Sequence, residues 1–277
     1  MNSYSVGFEE NDVLRSAFIR ELTLQQLDRG APSNIGSPTS AGIIPRRLIR
    51  YWHDPDALPQ DVRACLDSWD TLRLEGFEFR MFNDVSAAAY IIERYSTLEL
   101  DAFRKCRHPA MRCDYLRMCV LLEEGGLYVD ADDVLLGEEW KYIFNDNRLK
   151  LQPLCYDIPS CGMVPAREIW RRDLPTEGRI FYVNNDPIAA PPQHPLLRRA
   201  LSRATERLMG KDRFPEIQAT TGPGNLTVCL AAHAHELMTK MVPFDFELLQ
   251  NWDFIAETRW ELSYRNDARN WRNMGSN

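Results

Sequence analysis

The chain of 277 residues has no apolar run near the roughly 20 residues that a membrane-spanning helix requires. Its most apolar stretch, residues 118–122, ends at Glu123 and Glu124. The first residues also lack the basic-then-apolar order of a signal peptide. These absences predict no transmembrane segment, and they favour a cytoplasmic protein. Contact with a membrane surface, or export without a cleavable signal, stays open as an alternative.

Positive charge is also scarce, because 33 Lys and Arg residues stand against 40 Asp and Glu residues, a formal net charge of −7. Nonspecific binding of nucleic acid depends on basic side chains that displace counterions, so we expect no nucleic-acid partner. Hydrophobic residues make up 44% of the chain, which excludes disorder over most of its length. The composition is that of a globular protein.

The seven cysteines form no regular framework: they lie at positions 65, 106, 113, 119, 155, 161 and 229. Their number is odd, and no two of them have the spacing of a zinc-binding pair with histidine nearby. The sequence therefore predicts reduced, mostly buried thiols in a cytosol-like compartment, and no disulfide.

The N-terminal part of the chain divides into a helix and a linker. Residues 12–29 place Leu14, Phe18 and Leu22 at helical spacing, which predicts an amphipathic helix. This helix packs on the main domain or, alternatively, contacts a membrane surface or a partner, although its polar face mixes both charges. A Gly-, Pro- and Ser-rich stretch follows it. We expect residues 1–41 to form the helix and linker and residues 42–277 to form the main domain.

The main domain begins with strands that alternate with helices. Strands are predicted over 43–52 and 77–82, and helices over 58–69 and 83–95, the second of them capped by Asn83. This alternation is typical of an α/β fold.

Residues 108–136 carry the most informative pattern. Pro109 suits the first turn of a helix, and Gly125 suits its end. A strand is predicted after the Gly-Gly pair, over 127–136. Since alternate residues of a strand share a face, Tyr128, Asp130 and Asp132 are expected to point together, with Asp133 on the other side.

Two carboxylates on one strand face repel each other unless a cation neutralises them or one is protonated. A hard divalent cation prefers carboxylate oxygens, and such an ion can also bridge a diphosphate. The pattern therefore favours a site for a nucleotide diphosphate. A solvated acidic turn is the alternative for an isolated DxD sequence.

The helix before this strand carries a second charged pair. Asp114 and Arg117 are three residues apart and share a face. They are either a surface ion pair or, because the helix is largely apolar, a buried pair beside the acidic strand. A buried pair would suit a polyhydroxylated ligand, since the carboxylate accepts from hydroxyls and the guanidinium donates to oxygens.

Taken together, these segments resemble the glycosyltransferases with a sugar-binding DXD motif (family 32-like). This group includes initiating mannosyltransferases, bacterial capsule transferases and glucosylating toxin domains. The segments that carry the resemblance are, in chain order, Ile44-Pro45-Arg46 with Trp52, Ser68-Trp69, Ala110 with Cys113-Asp114 and Arg117, Gly125-Gly126-Leu127-Tyr128-Val129-Asp130-Ala131-Asp132, Asn184-Asn185, His194-Pro195 and Thr221-Gly222-Pro223-Gly224.

The resemblance implies a GT-A fold, a Rossmann-like nucleotide-sugar-binding domain with a mixed central sheet. It also implies a UDP- or GDP-sugar donor, Mn²⁺ or Mg²⁺ as cofactor, and retention at the anomeric carbon. The acceptor would be a glycan, a small molecule or a protein. The residues it places in the site are Asp130, Asp132 and Arg117 for catalysis, Asp130 and Asp132 for the metal, and Trp52, Asp114, Arg117, Tyr128, Asp130, Asn185 and Gly222 for the donor. Trp52 would stack on the base, or it is a plain core aromatic.

Two departures from the family pattern are visible. Cys113 stands where the family usually has Ser, and the C-terminal segment lacks the usual His and Ser-Trp pair. That region holds Tyr264-Arg265-Asn266-Asp267 and Asn270-Trp271-Arg272 instead, and Asp267 is the candidate for a C-terminal metal or phosphate contact. His108 and His194 each precede a proline and are interpreted as cap residues.

Two other functions compete with the transferase. A haloacid-type phosphohydrolase also has a DxD after an apolar strand, but there it follows the first strand of the chain. A catalytically degenerate protein that binds sugar or nucleotide is the other alternative.

Overall fold

A computed structural model describes residues 4–29, 42–211, 216–267, 269–270 and 272, with side chains omitted for 28 and 29. The predicted linker lies outside these residues up to residue 41. The division of the chain at that point therefore stays a prediction.

The described residues form ten α-helices and nine strands. The α-helices are α1 (Asp12–Arg29), α2 (Gln60–Asp67), α3 (Asp84–Arg94), α4 (Thr97–Lys105), α5 (Pro109–Glu124), α6 (Ala166–Ile169), α7 (Pro195–Met209), α8 (Ile217–Thr220), α9 (Pro223–Thr239) and α10 (Trp252–Ile255). The strands are β1 (Arg47–Tyr51), β2 (Glu78–Phe82), β3 (Gly126–Tyr128), β4 (Asp133–Leu135), β5 (Leu149–Asp157), β6 (Gly162–Met163), β7 (Arg179–Ala190), β8 (Phe246–Leu248) and β9 (Ala256–Thr258). Short 3-10 helices lie at Phe8–Glu10, Pro55–Ala57, Asp70–Arg73, Glu139–Phe144 and Ser263–Asn266.

The central sheet is mixed. Its order is β2-β1-β3-β7-β5-β6, and β8 pairs with β5. The pairs β1–β2, β1–β3 and β5–β8 are parallel, whereas β7 runs antiparallel to both β3 and β5. A second, two-stranded sheet joins β4 to β9. The α/β class with a mixed central sheet is therefore confirmed.

Local signals explain where the helices begin and end. Asn83 and Ser86 form a reciprocal capping box at the start of α3. Pro109 occupies the first turn of α5, and Gly125 ends that helix with a φ of 67°. A Cβ atom at Gly125 would lie 2.8 Å from the carbonyl oxygen of Ala190, so the close approach of β7 also requires glycine there.

The predicted strand over 127–136 is wrong as one continuous element. The structure divides it into β3 and β4, with a turn at Ala131 and Asp132 between them. The amide of Asp133 donates to the carbonyl of Asp130 at 3.3 Å, which closes this turn. The alternating pattern therefore does not continue through the two DXD carboxylates.

The N-terminal helix packs on the main domain. Phe18, Ile19 and Leu22 of α1 are buried in the same apolar cluster as strands β5 and β7. Ser16 donates to the carbonyl of Arg179 and accepts from the amide of Phe181, which fixes α1 against β7. Leu14, by contrast, is exposed. The apolar face of this helix is therefore largely used inside the protein.

The cysteines are free, and Cys161 is the exposed one while the others are buried. Within the part of the chain that the structure describes, no helix is both long enough and apolar enough to cross a bilayer.

Candidate active site

The candidate site lies where β1 and β3 end. Because these two strands are parallel neighbours, the residues that follow them meet at one edge of the sheet. Trp52 follows β1, and Asp130 follows β3. Strand β7 runs back beside β3 and brings Asn185 and Asp186 to the same edge.

Arg117 of α5 joins Asp114 and Asp130 into one buried network. Its guanidinium lies 3.1 Å from Asp114 Oδ1 and 2.9 Å from Asp130 Oδ1, and it also donates to the carbonyl of Asn185. Arg117 is 3% exposed. The same guanidinium lies 4.1 Å from the ring centroid of Tyr128. The buried ion pair expected at Asp114 and Arg117 is therefore present, and it extends to the first DXD aspartate.

Asp114 is buried, like Arg117. Burial raises the pKa of its carboxyl to about 6, although the nearby Arg117 acts in the opposite direction. Asn185 Nδ2 donates to Oδ1 at 2.8 Å, and the Thr221 hydroxyl donates to Oδ2 at 3.3 Å. Both oxygens thus have donors from separate segments of the chain.

The loop at Thr221 and Gly222 covers Asp114. A Cβ atom at Gly222 would lie 3.3 Å from Asp114 Oδ2 and 3.0 Å from the Cα of Gln218. Glycine lets the backbone approach the carboxylate closely. Asn185 and Gly222, both placed in the donor site by the resemblance, are therefore in contact with the Asp114–Arg117 pair.

Tyr128 and Cys113 meet beneath Asp130. The Tyr128 hydroxyl lies 2.8 Å from Asp130 Oδ1 and 2.7 Å from Cys113 Sγ. Burial raises the pKa of the Cys113 thiol to about 12, so this cysteine is a neutral thiol. Where the family usually has a hydroxyl, this chain thus places a thiol against the tyrosine.

The two DXD carboxylates have different partners. Asp132 is buried and accepts from the Tyr264 hydroxyl at 2.7 Å and from the guanidinium of Arg265. Asp130 is bound by Arg117 on the other side of the turn. Each carboxylate therefore has its own arginine.

Asp133 and Asp186 form a second acidic pair that the sequence analysis did not place in the site. Both are buried, and each carboxyl group affects the pKa of the other. Burial, followed by the charge of Asp132, raises the pKa of Asp133 to about 7. Asp186 Oδ1 also accepts from the amide of Asp130 at 3.0 Å. Burial, followed by the charge of Asp133, also raises the pKa of Asp186, so the pair is expected to retain a proton between its two carboxyl groups beside the DXD turn.

Trp52 lies at the rim of this site. Its ring centroid is 5.3 Å from that of Tyr264, in an edge-to-face arrangement. The indole is 8% exposed, and Trp52 Nε1 is buried without a hydrogen-bond partner. The structure thus brings Trp52 next to the residue that binds Asp132, while stacking on a base stays a prediction.

The remaining candidates lie farther out. Asp267 is bound to Arg269 at 2.7 Å, and Trp271 lies outside the described residues. His108 and His194 accept from the backbone amides of Ala110 and Leu196, which confirms both as cap residues.

The ligand chemistry around the DXD turn fits a hard divalent cation. Side-chain donors to Asp130 all bind Oδ1, those to Asp132 bind Oδ2, and Asp133 Oδ2 is buried with no donor. Oxygen ligands of this kind suit Mn²⁺ or Mg²⁺. Across the described ranges, however, no group of three or more acidic, His or Cys side chains already converges on a single metal position. At Asp132, Tyr264 and Arg265 already occupy Oδ2.

Sequence reasoning missed Tyr264, Arg265, Asp133 and Asp186. Asp186 was adjacent to the recognised Asn184-Asn185 pair, so an acidic residue beside that pair was the available signal. Nothing in the local sequence of Arg265 indicated that it would contact a residue 133 positions away.

Comparison with known proteins agrees with this geometry. Residues 59–149 match a family model described as "Glycosyltransferase sugar-binding region containing DXD motif". This segment is shorter than half of the chain, and it contains Asp114, Arg117, Asp130 and Asp132.

Two curated yeast proteins are similar to the chain. One is the "Initiation-specific alpha-1,6-mannosyltransferase" of Saccharomyces cerevisiae, 21% identical over 208 residues, which are 64% of this chain and 42% of that protein. The other is the "Mannosyl phosphorylinositol ceramide synthase SUR1" of the same yeast, 26% identical over 204 residues, 70% of this chain and 44% of that protein. The chain thus spans less than half the length of these curated relatives.

Among solved structures, the "PaToxG Glycosyltransferase" has a TM-score of 0.45 at 13% identity, over 89% of this chain and 94% of that one. The matched segment and the curated relatives confirm the resemblance. Over residues 59–149, this chain is similar to the sugar-binding region of the glycosyltransferases with a DXD motif.

Proposed function

We propose that the protein is a metal-dependent, retaining glycosyltransferase that moves a sugar from a UDP- or GDP-sugar to a hydroxyl of a glycan, a natural product or a protein. The observation that carries this proposal is the buried network centred on Arg117. It joins α5, the DXD turn and β7 through Asp114, Asp130 and Asn185. Burying a network of charges costs free energy. Such networks are concentrated at ligand-binding and catalytic sites, which is why this one supports a donor site.

The donor sugar would lie against Asp114 and Arg117. Both oxygens of Asp114 already have donors, and the Thr221 hydroxyl covers one of them. Hydroxyl groups of a sugar would replace the Thr221 contact, so the loop from Thr221 to Gly224 would open to admit the donor. Trp52 at the rim would then stack on the base.

In the transfer, the bond between the anomeric carbon and the donor diphosphate breaks, and a new bond to the acceptor oxygen forms. The acceptor oxygen would attack from the face that the diphosphate leaves, which accounts for retention, and the acceptor proton would pass to the leaving diphosphate. Asp130 and Asp132 would hold a divalent cation, which when bound neutralises the charge that develops on the diphosphate. Arg117 fixes the position of Asp130 through a contact of 2.9 Å.

We place this activity in a cytosol-like compartment, since the cysteines are free and almost all buried.

A second candidate function is binding of a nucleotide or sugar without transfer. One observation favours it: Arg265 already neutralises Asp132. A protein in which this contact is permanent would bind no metal at the DXD turn.

The experiment is hydrolysis of a panel of UDP- and GDP-sugars with Mn²⁺, with Mg²⁺ and with a chelator. Wild type is compared with Asp130→Asn/Asp132→Asn and with Asp173→Asn, whose side chain is 70% exposed in a surface pair with Arg171. The transferase predicts that one donor is consumed only with metal, and that the double variant alone is inactive. Binding of a nucleotide without turnover under every condition would support the second candidate instead.

A further inference from the structure

The C-terminal segment of the chain lies directly on the second DXD carboxylate. Strand β9 pairs with β4, and the amide of Arg259 donates to the carbonyl of Asp132 at 2.9 Å. The 3-10 helix that follows brings two donors, from Tyr264 and Arg265, to Asp132 Oδ2. This carboxylate is 8% exposed, so the contact is largely shielded from solvent.

Arg265 and a divalent cation need the same carboxylate. The guanidinium of Arg265 occupies Asp132 Oδ2, and the proposed function requires Asp132 to ligate the metal. A metal ion on either oxygen of Asp132 would lie close to this guanidinium, and two cations in a site with little water repel each other. A buried carboxylate is also costly without a counter-charge. Asp132 therefore keeps Arg265 until another cation replaces it.

On the basis of the proposed function, we propose that Arg265 and the divalent cation exchange on Asp132, and that the released Arg265 binds the donor diphosphate.

The surroundings of Arg265 allow this movement. Its guanidinium lies 4.4 Å from the ring centroid of Trp260, and Arg272 lies over the same ring at 5.1 Å. An open cavity of about 430 Å³ is lined by Trp260, Leu262, Arg265 and their neighbours. The side chain of Arg265 therefore already borders open space, within the cavity that it lines. The planar fork of a guanidinium also matches the paired oxygens of a diphosphate.

The backbone under Arg265 is anchored, so the side chain alone has to move. The amide of Ser263 donates to Asp61 Oδ2 at 2.6 Å, and its hydroxyl donates to Asp61 Oδ1 at 3.1 Å. Leu262 is buried in a small apolar cluster with Trp52. The exchange would thus couple metal binding to donor binding, because the cation releases the residue that the diphosphate needs.

The test uses the full chain, with Arg265→Gln, Arg265→Lys and Arg259→Gln. Arg259 is the matched control, since it lies on the same segment in an exposed pair with Glu257 at 3.0 Å. Mn²⁺ alone is titrated into each protein, with free Mn²⁺ followed by electron paramagnetic resonance. UDP and GDP are then titrated by calorimetry at saturating Mn²⁺. Thermal unfolding with and without Mn²⁺ checks that each variant is folded.

We expect Arg265→Gln to bind Mn²⁺ about tenfold more tightly than wild type, a change of ~1.4 kcal/mol, and to bind the nucleotide about tenfold more weakly. Its melting temperature without Mn²⁺ should fall, and Mn²⁺ should restore more of it than in wild type. Arg265→Lys should stay close to wild type for Mn²⁺, and Arg259→Gln should match wild type in both titrations.

Weaker or unchanged Mn²⁺ binding by Arg265→Gln overturns the exchange, as does the absence of Mn²⁺ binding in both proteins. Tighter Mn²⁺ binding with unchanged nucleotide affinity keeps the exchange and overturns the diphosphate contact. If wild type with Mn²⁺ binds neither UDP nor GDP, the proposed function fails, while the Mn²⁺ titration still decides whether Arg265 competes for Asp132.

Discussion

Asn185 Nδ2 donates to Asp114 Oδ1 at 2.8 Å, although the two residues are 71 positions apart in the chain. This bond joins β7 to α5 beside the DXD turn. Asp114 in turn binds Arg117, and Arg117 binds Asp130. Arg117 thus fixes the positions of Asp114 and Asp130 relative to each other. A substitution at any of these three residues should therefore alter the donor site.

Arg117→Lys tests whether the shape of this guanidinium matters, beyond its charge. An ammonium group cannot reach Asp114, Asp130 and the Asn185 carbonyl together, so buried acceptors lose their donors. We expect a loss of about 2–3 kcal/mol in the free energy of unfolding, and of at least ~100-fold in donor hydrolysis. Urea unfolding and the hydrolysis assay measure the two effects.

The matched control for this substitution is Arg104→Lys in α4. Its side chain is 65% exposed in a loose pair with Asp101, so its stability should change by less than ~0.5 kcal/mol. Equal behaviour of the two variants would contradict the role assigned to Arg117.

Gly222→Ala tests the close approach of the loop to Asp114. The added methyl would lie 3.0 Å from the Gln218 Cα and 3.3 Å from Asp114 Oδ2, so the loop must shift outwards. We expect a loss of about 1–3 kcal/mol in stability and a weaker affinity for the donor. Gly42→Ala is the control, since its nearest atom is 3.8 Å away. A donor affinity equal to that of wild type would contradict a donor-site role for this loop.

Much of the fold could be predicted from the sequence, because the signals for the helix ends are local. Asn83, Pro109 and Gly125 each act on their own helix end, and the structure has them in those roles. The pair of Asp114 and Arg117 followed from helical spacing alone. The alternating pattern after Gly126 failed, since a turn at residues 131 and 132 interrupts the strand.

The rest of the site depends on contacts between distant segments. Arg265 lies beside Asp132, and Asp186 lies beside Asp133, because the fold brings segments together that are far apart in the sequence. No local periodicity encodes either contact. The family resemblance pointed to Asn185 and Gly222, yet it did not indicate that both contact Asp114.

Asp133→Asn tests the shared proton of the buried acidic pair. Asn keeps an oxygen for the Thr258 hydroxyl, which donates to Asp133 Oδ1 at 2.7 Å, and adds an N–H donor towards Asp186. This donor replaces the shared proton, so we expect the free energy of unfolding at pH 7.5 to stay equal or rise by ~1 kcal/mol. Asp133→Ala removes both contacts and should cost about 1–3 kcal/mol. Urea unfolding distinguishes them, and an equal loss in both variants would argue against a shared proton.

His194 predicts a pH dependence that is independent of the candidate site. The ring is fully buried: Nδ1 accepts from the amide of Leu196 at 3.2 Å, and Nε2 lies 3.1 Å from the carbonyl oxygen of Asp245. These partners fit the neutral ring with its proton on Nε2. Burial lowers the pKa of His194 to about 4, although the Asp245 carboxylate opposes this shift.

The direction of the effect follows from proton binding. Between pH 4 and pH 6.5 the unfolded chain binds a proton at His194 that the folded chain does not, so stability rises with pH in this window and is lost as the pH falls through it. The second partner of Asp245 is His233, at 2.8 Å. Burial raises the pKa of Asp245, but the His233 hydrogen bond and the electrostatic effects of His194 and His233 together outweigh burial, so the pKa ends below its usual value. The contribution of the Asp245 carboxylate to the free energy of unfolding is therefore lost only at a pH below this window.

His194→Asn isolates the effect, because Asn also caps a helix and does not titrate. From pH 7.5 to pH 5, wild type should lose about 2 kcal/mol of unfolding free energy through His194, and the variant should lack this loss. Urea unfolding at both pH values measures it. His235→Asn, on the partly buried face of α9, is the control and should keep the wild-type dependence. The same pH dependence in wild type and His194→Asn would show that His194 is not the group responsible.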